Sequence, residues 1–278
     1  MERSRPGCAD ETLSAENSVE QNSIPMKTRL DKLLVERGLA ASRERAQSMI
    51  LAGRVLVNDQ KIEKSGANVE TDAAVRLLGE DLKYVSRGGL KLEAALHHWD
   101  INLTGRSCMD VGASTGGFTD CMLQHGAAEV IAIDTGYGQI AATLRSDPRV
   151  RLLERTNARY LTADQLRYVG GSRHISFIAM DVSFISVTLV LPAVFEAVFA
   201  ASQEQSREVV ILIKPQFEVG RESVGKGGIV KDEQARQMAV VKVYKAVEAV
   251  GGHDVEVIDS PITGMEGNRE FLLHSRFS

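Results

Sequence analysis

Four ionisable side chains stand where apolar runs end: Asp110 after Cys108-Met109, Asp134 after Glu129-Val-Ile-Ala-Ile133, Asp181 after Ser176-Phe-Ile-Ala-Met180 and Lys214 after Val209-Val-Ile-Leu-Ile213. In an α/β protein such points are the carboxyl ends of strands, where ligands enter. Carboxylates and an amine gathered in one crevice suit binding of a polar small molecule and handling of a proton.

The stretch Ser107-Cys-Met-Asp-Val-Gly-Ala-Ser-Thr-Gly-Gly-Phe-Thr-Asp120 reads as a strand, a glycine-rich turn and the start of a helix. Gly112, Gly116 and Gly117 remove side chains where a ligand must approach the backbone, and Asp134 is placed to accept both hydroxyls of a ribose. A tight turn without any ligand is the plain alternative. A dinucleotide site would call for G-x-G-x-x-G around a pyrophosphate, and the middle glycine of that pattern is missing here. The turn therefore reads as a pocket for S-adenosylmethionine, which carries no phosphate.

A lysine at the end of a buried run is most often a surface residue whose ammonium reaches water. Pro215 sets Lys214 in an extended conformation without deciding between the two readings. The combination decides, because Asp110, Asp134, Asp181 and Lys214 would all face one crevice. Attack of a hydroxyl on a sulfonium methyl needs in-line placement and removal of the hydroxyl proton, for which an amine is a suitable base.

These groups need a sheet. The apolar runs at 108–111, 129–133, 176–180 and 208–213, separated by helical or loop stretches, predict an α/β, doubly wound, mostly parallel Rossmann-like sheet. With 278 residues and 44% apolar content the chain has room for that domain and a small partner. Net charge is −4, but residues 27–87 hold twelve basic and nine acidic residues and are the net positive segment. Scattered surface charge explains this excess as readily as nucleic acid does.

Cys8, Cys108 and Cys121 are odd in number and lack metal-ligand spacing, which predicts reduced thiols, a cytoplasmic location and no metal. The most apolar long segment, 185–201, is interrupted by Ser186, Thr188, Pro192 and Glu196, so no bilayer span is predicted. Residues 1–26 are polar and read as a disordered extension, with Met26 as the native start, an expectation that intact mass of the native protein checks.

In the positive segment, Leu30, Leu33, Leu34 and Leu39 follow helical spacing up to Gly38, and a second helix fits Ser42 to Leu51 with Ser42 as N-cap and Gly53 beyond its end. A strand pair around Asn58 and Asp59 and a further strand at 74–78 follow. This small α+β unit would set Lys32, Arg37, Arg43, Arg45, Arg54 and Lys61 near one surface suited to RNA phosphates. The runs Arg29-Leu-Asp-Lys-Leu-Leu-Val-Glu-Arg-Gly38 and Ser42-Arg-Glu-Arg-Ala-Gln-Ser-Met-Ile-Leu-Ala-Gly53 resemble the S4-type RNA-binding domain.

Farther on, Ser86-Arg-Gly-Gly-Leu-Lys91, Asp110-Val-Gly-Ala-Ser-Thr-Gly-Gly117, Asp134-Thr-Gly-Tyr-Gly-Gln139, Glu154-Arg-Thr-Asn157, Asp181-Val-Ser-Phe-Ile-Ser186 and Lys214-Pro-Gln-Phe-Glu218 are similar to the TlyA family. That family comprises bacterial ribosomal RNA 2′-O-methyltransferases with an FtsJ-like large domain. The resemblance implies an S4-type domain over 27–82, a linker at 83–88 and a methyltransferase domain over 89–278, acting on ribosomal RNA or ribosomal subunits at a cytidine.

It also implies a tetrad of Lys91, Asp181, Lys214 and Glu270, with Lys214 taking or steering the ribose proton, Lys91 adding a second cation and the two carboxylates orienting the amines. Glu266 and Glu218 are rivals for the last place, because Thr263-Gly-Met-Glu-Gly267 departs from the family pattern; Thr135, commonly Val in relatives, is a second departure. S-adenosylmethionine is expected against Asp110, Gly112, Ala113, Gly116 and Gly117, with Asp134 on the ribose and Asn157 near the adenine. Arg221 and Lys226, in a glycine-rich loop, are expected to touch RNA phosphates. A haemolysin-like membrane-active protein and a ribosome-binding module without catalysis are the alternatives.

Overall fold

Short apolar runs bounded by glycine and charged residues become the buried parallel strands of the computed structural model, which describes residues 27–40, 42–51, 53–78, 83–170, 174–201, 206–264 and 267–278. The extension before Lys27, with Cys8 and Met26, lies outside the described residues. The chain divides into two units, one ending at Gly79 and the other starting at Glu80.

In the first unit, β1 (Lys27–Arg29), α1 (Leu30–Glu36), α2 (Arg43–Leu51), β2 (Val55–Val57), β3 (Gln60–Lys61), β4 (Asn68–Glu70) and β5 (Val75–Leu77) follow in order. Strands β1 and β4 pair with each other, and β3, β2 and β5 form a second antiparallel sheet. Leu30, Leu34, Met49, Ile50 and Val55 are wholly buried between the helices and strands. The β2–β3 turn uses Asn58 and Asp59 at φ +49° and +61°, the left-handed pair that matches the twist of a tight hairpin.

The second unit holds α3 (Gly88–His98), β6 (Ser107–Val111), α4 (Gly117–Gln124), β7 (Glu129–Ile133), α5 (Ala142–Arg145), β8 (Val150–Leu153), α6 (Ala163–Tyr168) and β9 (Ile175–Met180). After these come α7 (Leu191–Ala201), β10 (Arg207–Ile213), α8 (Pro215–Glu218), α9 (Glu233–Ala249), β11 (His253–Asp259) and β12 (Phe271–Phe277). They build one sheet in the order β11-β12-β10-β9-β6-β7-β8. The strands from β10 to β8 are parallel, whereas β12 runs antiparallel to both of its neighbours.

Both sheet faces are covered, which is why the strands are almost continuously apolar. Cys108, Val130, Val210 and Leu212 meet Leu92, Leu96, Phe118 and Met122 of α3 and α4 on one face. Met109, Ile131, Ile178 and Ile211 meet Leu166, Val194, Val198, Val243 and Val247 of α6, α7 and α9 on the other. From β6 the chain winds outward through β7 to β8, then returns to β9 and winds the opposite way. The reversal point lies between β6 and β9, so the carboxyl ends of those two strands open the crevice of a doubly wound sheet.

Candidate active site

At the end of β6 the chain enters the glycine turn. Gly112 has φ +90°, and a Cβ there would lie 2.5 Å from the carbonyl oxygen of Asp181, so the turn and the end of β9 touch through backbone. Gly116, at φ +94°, is the left-handed residue that opens α4, and a Cβ on it would strike Leu144 at 2.3 Å. Gly117 serves packing instead: its missing side chain lets the start of α4 approach Ser86, Gly88 and Gly89 at the start of α3.

Asp110 is completely buried and accepts a hydrogen bond from Thr119 Oγ1 at 2.6 Å. Its other oxygen, Oδ1, is buried without a hydrogen-bond partner. Burial, aided by the nearby Asp181 and Asp134 charges, pushes its carboxyl up to about 7. A cation brought beside Oδ1 would favour the ionised form.

Asp134 follows β7 and is fixed by backbone amides: Oδ2 accepts from Ser114 N at 2.8 Å and Oδ1 from Gly136 N at 2.6 Å. Each oxygen keeps a second lone pair for a diol. Ala113, Ala132, Ile140 and Leu152 line the adjoining pocket with Asp134 and Glu154. Apolar walls beside fixed carboxylates fit a nucleoside-bearing cation and do not fit a pyrophosphate, which needs donors. Asn157 is not among the lining residues; it is exposed, and its side chain accepts from Arg159 N at 3.0 Å, capping the helical turn 158–160.

Lys214 stands immediately before α8, extended at φ −112°, with Pro215 as the first helical residue. Its Nζ lies 2.6 Å from Asp181 Oδ1 and donates to Ser183 Oγ at 2.6 Å. Lys91, on α3, makes an ion pair with Glu270 that is buried on both sides. The two pairs are joined by the sheet: the β10–β12 ladder ends at Ile213 opposite Phe271, and the next residue outward on each strand is Lys214 and Glu270.

Of the rivals to Glu270, Glu218 is engaged elsewhere and Glu266 lies outside the described residues. Glu218 is buried, accepts from Val187 N at 2.8 Å and from Ser186 Oγ, and pairs with Lys242 at 3.3 Å. It thereby pins the loop that leaves Asp181. Ser183 and Phe184 of that loop belong to the Asp181–Ser186 run, but residue type alone assigns neither a role. Phe184 is 92% exposed, sits at φ +65° and leans on Phe217 with ring centroids 5.4 Å apart. A bulky residue held left-handed and in water beside reactive groups is a signal only backbone coordinates reveal.

The expected basic surface of the first unit is partly tied down. Asp31, wholly buried, accepts from Arg29, from Arg43 at 3.2 Å and from Gln47 at 2.8 Å, and these donors hold its carboxyl well below the usual carboxylate range. Arg37 donates to the carbonyls of Thr71 and Ala73. Lys32 pairs with Glu36, Lys61 with Glu63, and Arg54 donates to the carbonyl of Leu78, while Arg45 is half-buried on α2. In the second unit, Arg221 and Lys226 are exposed on the loop after α8.

Residues 84–277 match the model of the FtsJ-like methyltransferase family, and residues 28–75 match the S4 domain. The chain is 45% identical over 251 residues to the "16S/23S rRNA (cytidine-2'-O)-methyltransferase TlyA" of Mycobacterium tuberculosis, covering 90% of each. It is likewise 45% identical over 249 residues to the "Putative rRNA methyltransferase YqxC" of Bacillus subtilis, covering 89% of this chain and 85% of that protein. Among solved structures, a "Putative hemolysin from Streptococcus thermophilus" superposes with a TM-score of 0.68 at 40% identity, over 92% of this chain and 90% of that one. No helix among the described residues is long and apolar enough to cross a membrane. The chain therefore belongs to the FtsJ-like methyltransferases, in the TlyA branch that carries an S4 domain ahead of the catalytic fold.

Proposed function

We propose that this protein methylates the ribose 2′-hydroxyl of a cytidine in ribosomal RNA, using S-adenosylmethionine, with the S4-type unit holding structured RNA on the substrate. Bound S-adenosylmethionine supplies an electrophilic methyl carbon on a sulfonium. Its ribose belongs on Asp134, its base against Ile140 and Leu152, and its charged amino-acid end near the buried free oxygen of Asp110.

The observation that carries this reading is the Lys214–Asp181 ion pair at the reversal point of the sheet, one strand away from the glycine turn. Asp181 holds the Lys214 side chain in place, and Lys214, entering the step as the neutral amine once its ammonium has given a proton to solvent, steers the hydroxyl and takes its proton as the oxygen attacks. Lys91, held by Glu270, adds positive charge that favours the developing alkoxide. Phe184 offers a flat apolar face on which the target base can rest once it leaves its stack.

The test uses ribosomal subunits lacking the mark, labelled cofactor and the Lys214→Ala variant. Methyl transfer is expected to fall at least a hundredfold, with cofactor affinity within a few-fold of the parent, and nucleoside mass spectrometry to find 2′-O-methylcytidine only with the parent. Undiminished turnover by Lys214→Ala removes the proposed base. Leakage of liposomes by the purified protein without cofactor would favour the membrane-active alternative.

A further inference from the structure

Helix α3 carries a second set of polar side chains that the proposed reaction does not use. Glu93 and His97 stand one turn apart on the same face, about 200° around the helix from Lys91 in the case of Glu93. His125, just past the last turn of α4, meets them there. One donor atom from each of the three residues lies within 4.8 Å of the others. Glu93 Oε1 is 3.8 Å from His97 Nε2, and the rings of His97 and His125 meet edge to face with centroids 6.0 Å apart.

The His125 ring keeps one nitrogen for a ligand. Its Nδ1 lies 2.9 Å from the carbonyl oxygen of Cys121, which can only accept, so the proton belongs on Nδ1 and Nε2 keeps its lone pair. Metal-bound histidines are oriented by a bond of this kind.

Tyr84, a residue only 2% exposed, stands beside Glu93 and Cys121, so the Glu93 carboxylate has a buried hydroxyl on one side and a lysine on the other. The competing cation is Lys83, whose ammonium pairs with Glu93 from a half-exposed side chain that can retreat into water.

We propose that Glu93, His97 and His125 form a binding site for a divalent transition-metal ion of the zinc class, clamping the middle of α3 to the end of α4. Two imidazoles and one carboxylate are a donor set that Zn(II) takes with a fourth position left open, and the same set accepts Co(II) and Ni(II). Tetrahedral bonds of about 2.0–2.1 Å require donor separations of roughly 3.3 Å, and rotation of the exposed His97 side chain supplies the closure. The ion holds the helix that carries Lys91 and takes no part in methyl transfer.

The test titrates untagged, chelator-treated full-length protein with Co(II) alone, reading its visible absorption, and with Zn(II), reading heat and melting temperature. One Co(II) per chain with the intense bands of a tetrahedral site is expected, displaced by Zn(II), with a rise in melting temperature. His97→Ala, on the exposed side chain, and His125→Gln should each weaken binding at least tenfold. Lys83→Ala should tighten it, and His253→Ala, on β11, should leave it unchanged. Absence of the bands, or binding that survives both His97→Ala and His125→Gln, overturns the site. Methyl transfer is not the readout, so this outcome is independent of the proposed function.

Discussion

Lys91 and Glu270, 179 residues apart in the chain, form an ion pair in which the side chains are only 10% and 2% exposed. Removing one member of such a pair strands a buried charge, at about 3–5 kcal/mol, whereas replacing both with apolar groups is often neutral. Glu270→Ala should therefore lower unfolding stability strongly. The double variant Lys91→Met/Glu270→Leu should recover most of that stability and still transfer no methyl group. Denaturant melts beside a methyl-transfer assay check this, and near-native turnover by the double variant would reduce the pair to a packing element.

Asp110 makes stability depend on pH in the direction opposite to a paired carboxylate. Its folded pKa, pushed up to about 7, lies above the ordinary 3.8, so the folded state binds a proton that the unfolded chain has already released between those values. The stabilising contribution is fully present below about pH 4 and is lost as pH rises through 7. Its ceiling is about 4 kcal/mol. Asp110→Asn, which can still accept from Thr119, should be the more stable protein at pH 8 and lose its advantage at pH 5. Identical pH responses of the two in chemical denaturation would contradict the assignment.

Asp31 behaves in the ordinary sense. Its carboxyl is held below the usual range by Arg29 first, against the cost of burial, with Gln47 and Arg43 adding to the effect. Its contribution is present above about pH 4 and disappears as pH falls below the unfolded value. Asp31→Ala should loosen the first unit by about 1–3 kcal/mol through the stranded donors. Hydrogen exchange should rise across α1 and α2 while β6 to β10 stay protected; uniform exchange across both units would argue against separate stability.

Phe184 gives the cleanest separation of function from folding. At 92% exposure its ring contributes little to the core, and its left-handed backbone is a strain of about 1–3 kcal/mol that a smaller residue does not worsen. Phe184→Ala should leave the melting temperature within a few degrees of the parent and lower methyl transfer to ribosomal subunits at least tenfold. Phe184→Trp should retain much of the activity. If Phe184→Ala is as active as the parent, the ring is no platform for the base.

Glu218 supports that loop from behind. Glu218→Gln should keep the amide contacts in part, whereas Glu218→Ala frees Val187 N and Lys242 together. The expected result is a loss in turnover larger than the loss in cofactor affinity, read by comparing transfer kinetics with cofactor titration.

The strands that end in Asp110, Asp134, Asp181 and Lys214 were legible because buried parallel strands are apolar on both faces and therefore stand out as runs. Strand β8, with Arg151 facing water at the sheet edge, and β11, half-exposed, carry no such run and are not legible in that way. The glycines of the turn were visible as residues, yet their uses differ: Gly112 and Gly116 take left-handed backbone, while Gly117 makes room for α3. The basic residues of the first unit were visible as charges, but charge does not disclose that Asp31 already binds Arg43.

Residue types and their periodicity alone determined the doubly wound class, the glycine turn and the ends of four strands, because burial and backbone sterics act locally on every few residues. Resemblance supplied the candidate tetrad. Tertiary structure alone decided that Glu270 meets Lys91, that Glu218 pins a loop, that Asn157 caps a turn and that Glu93, His97 and His125 converge. Those are meetings between distant segments, and the path of the intervening chain fixes them through packing that no local pattern encodes.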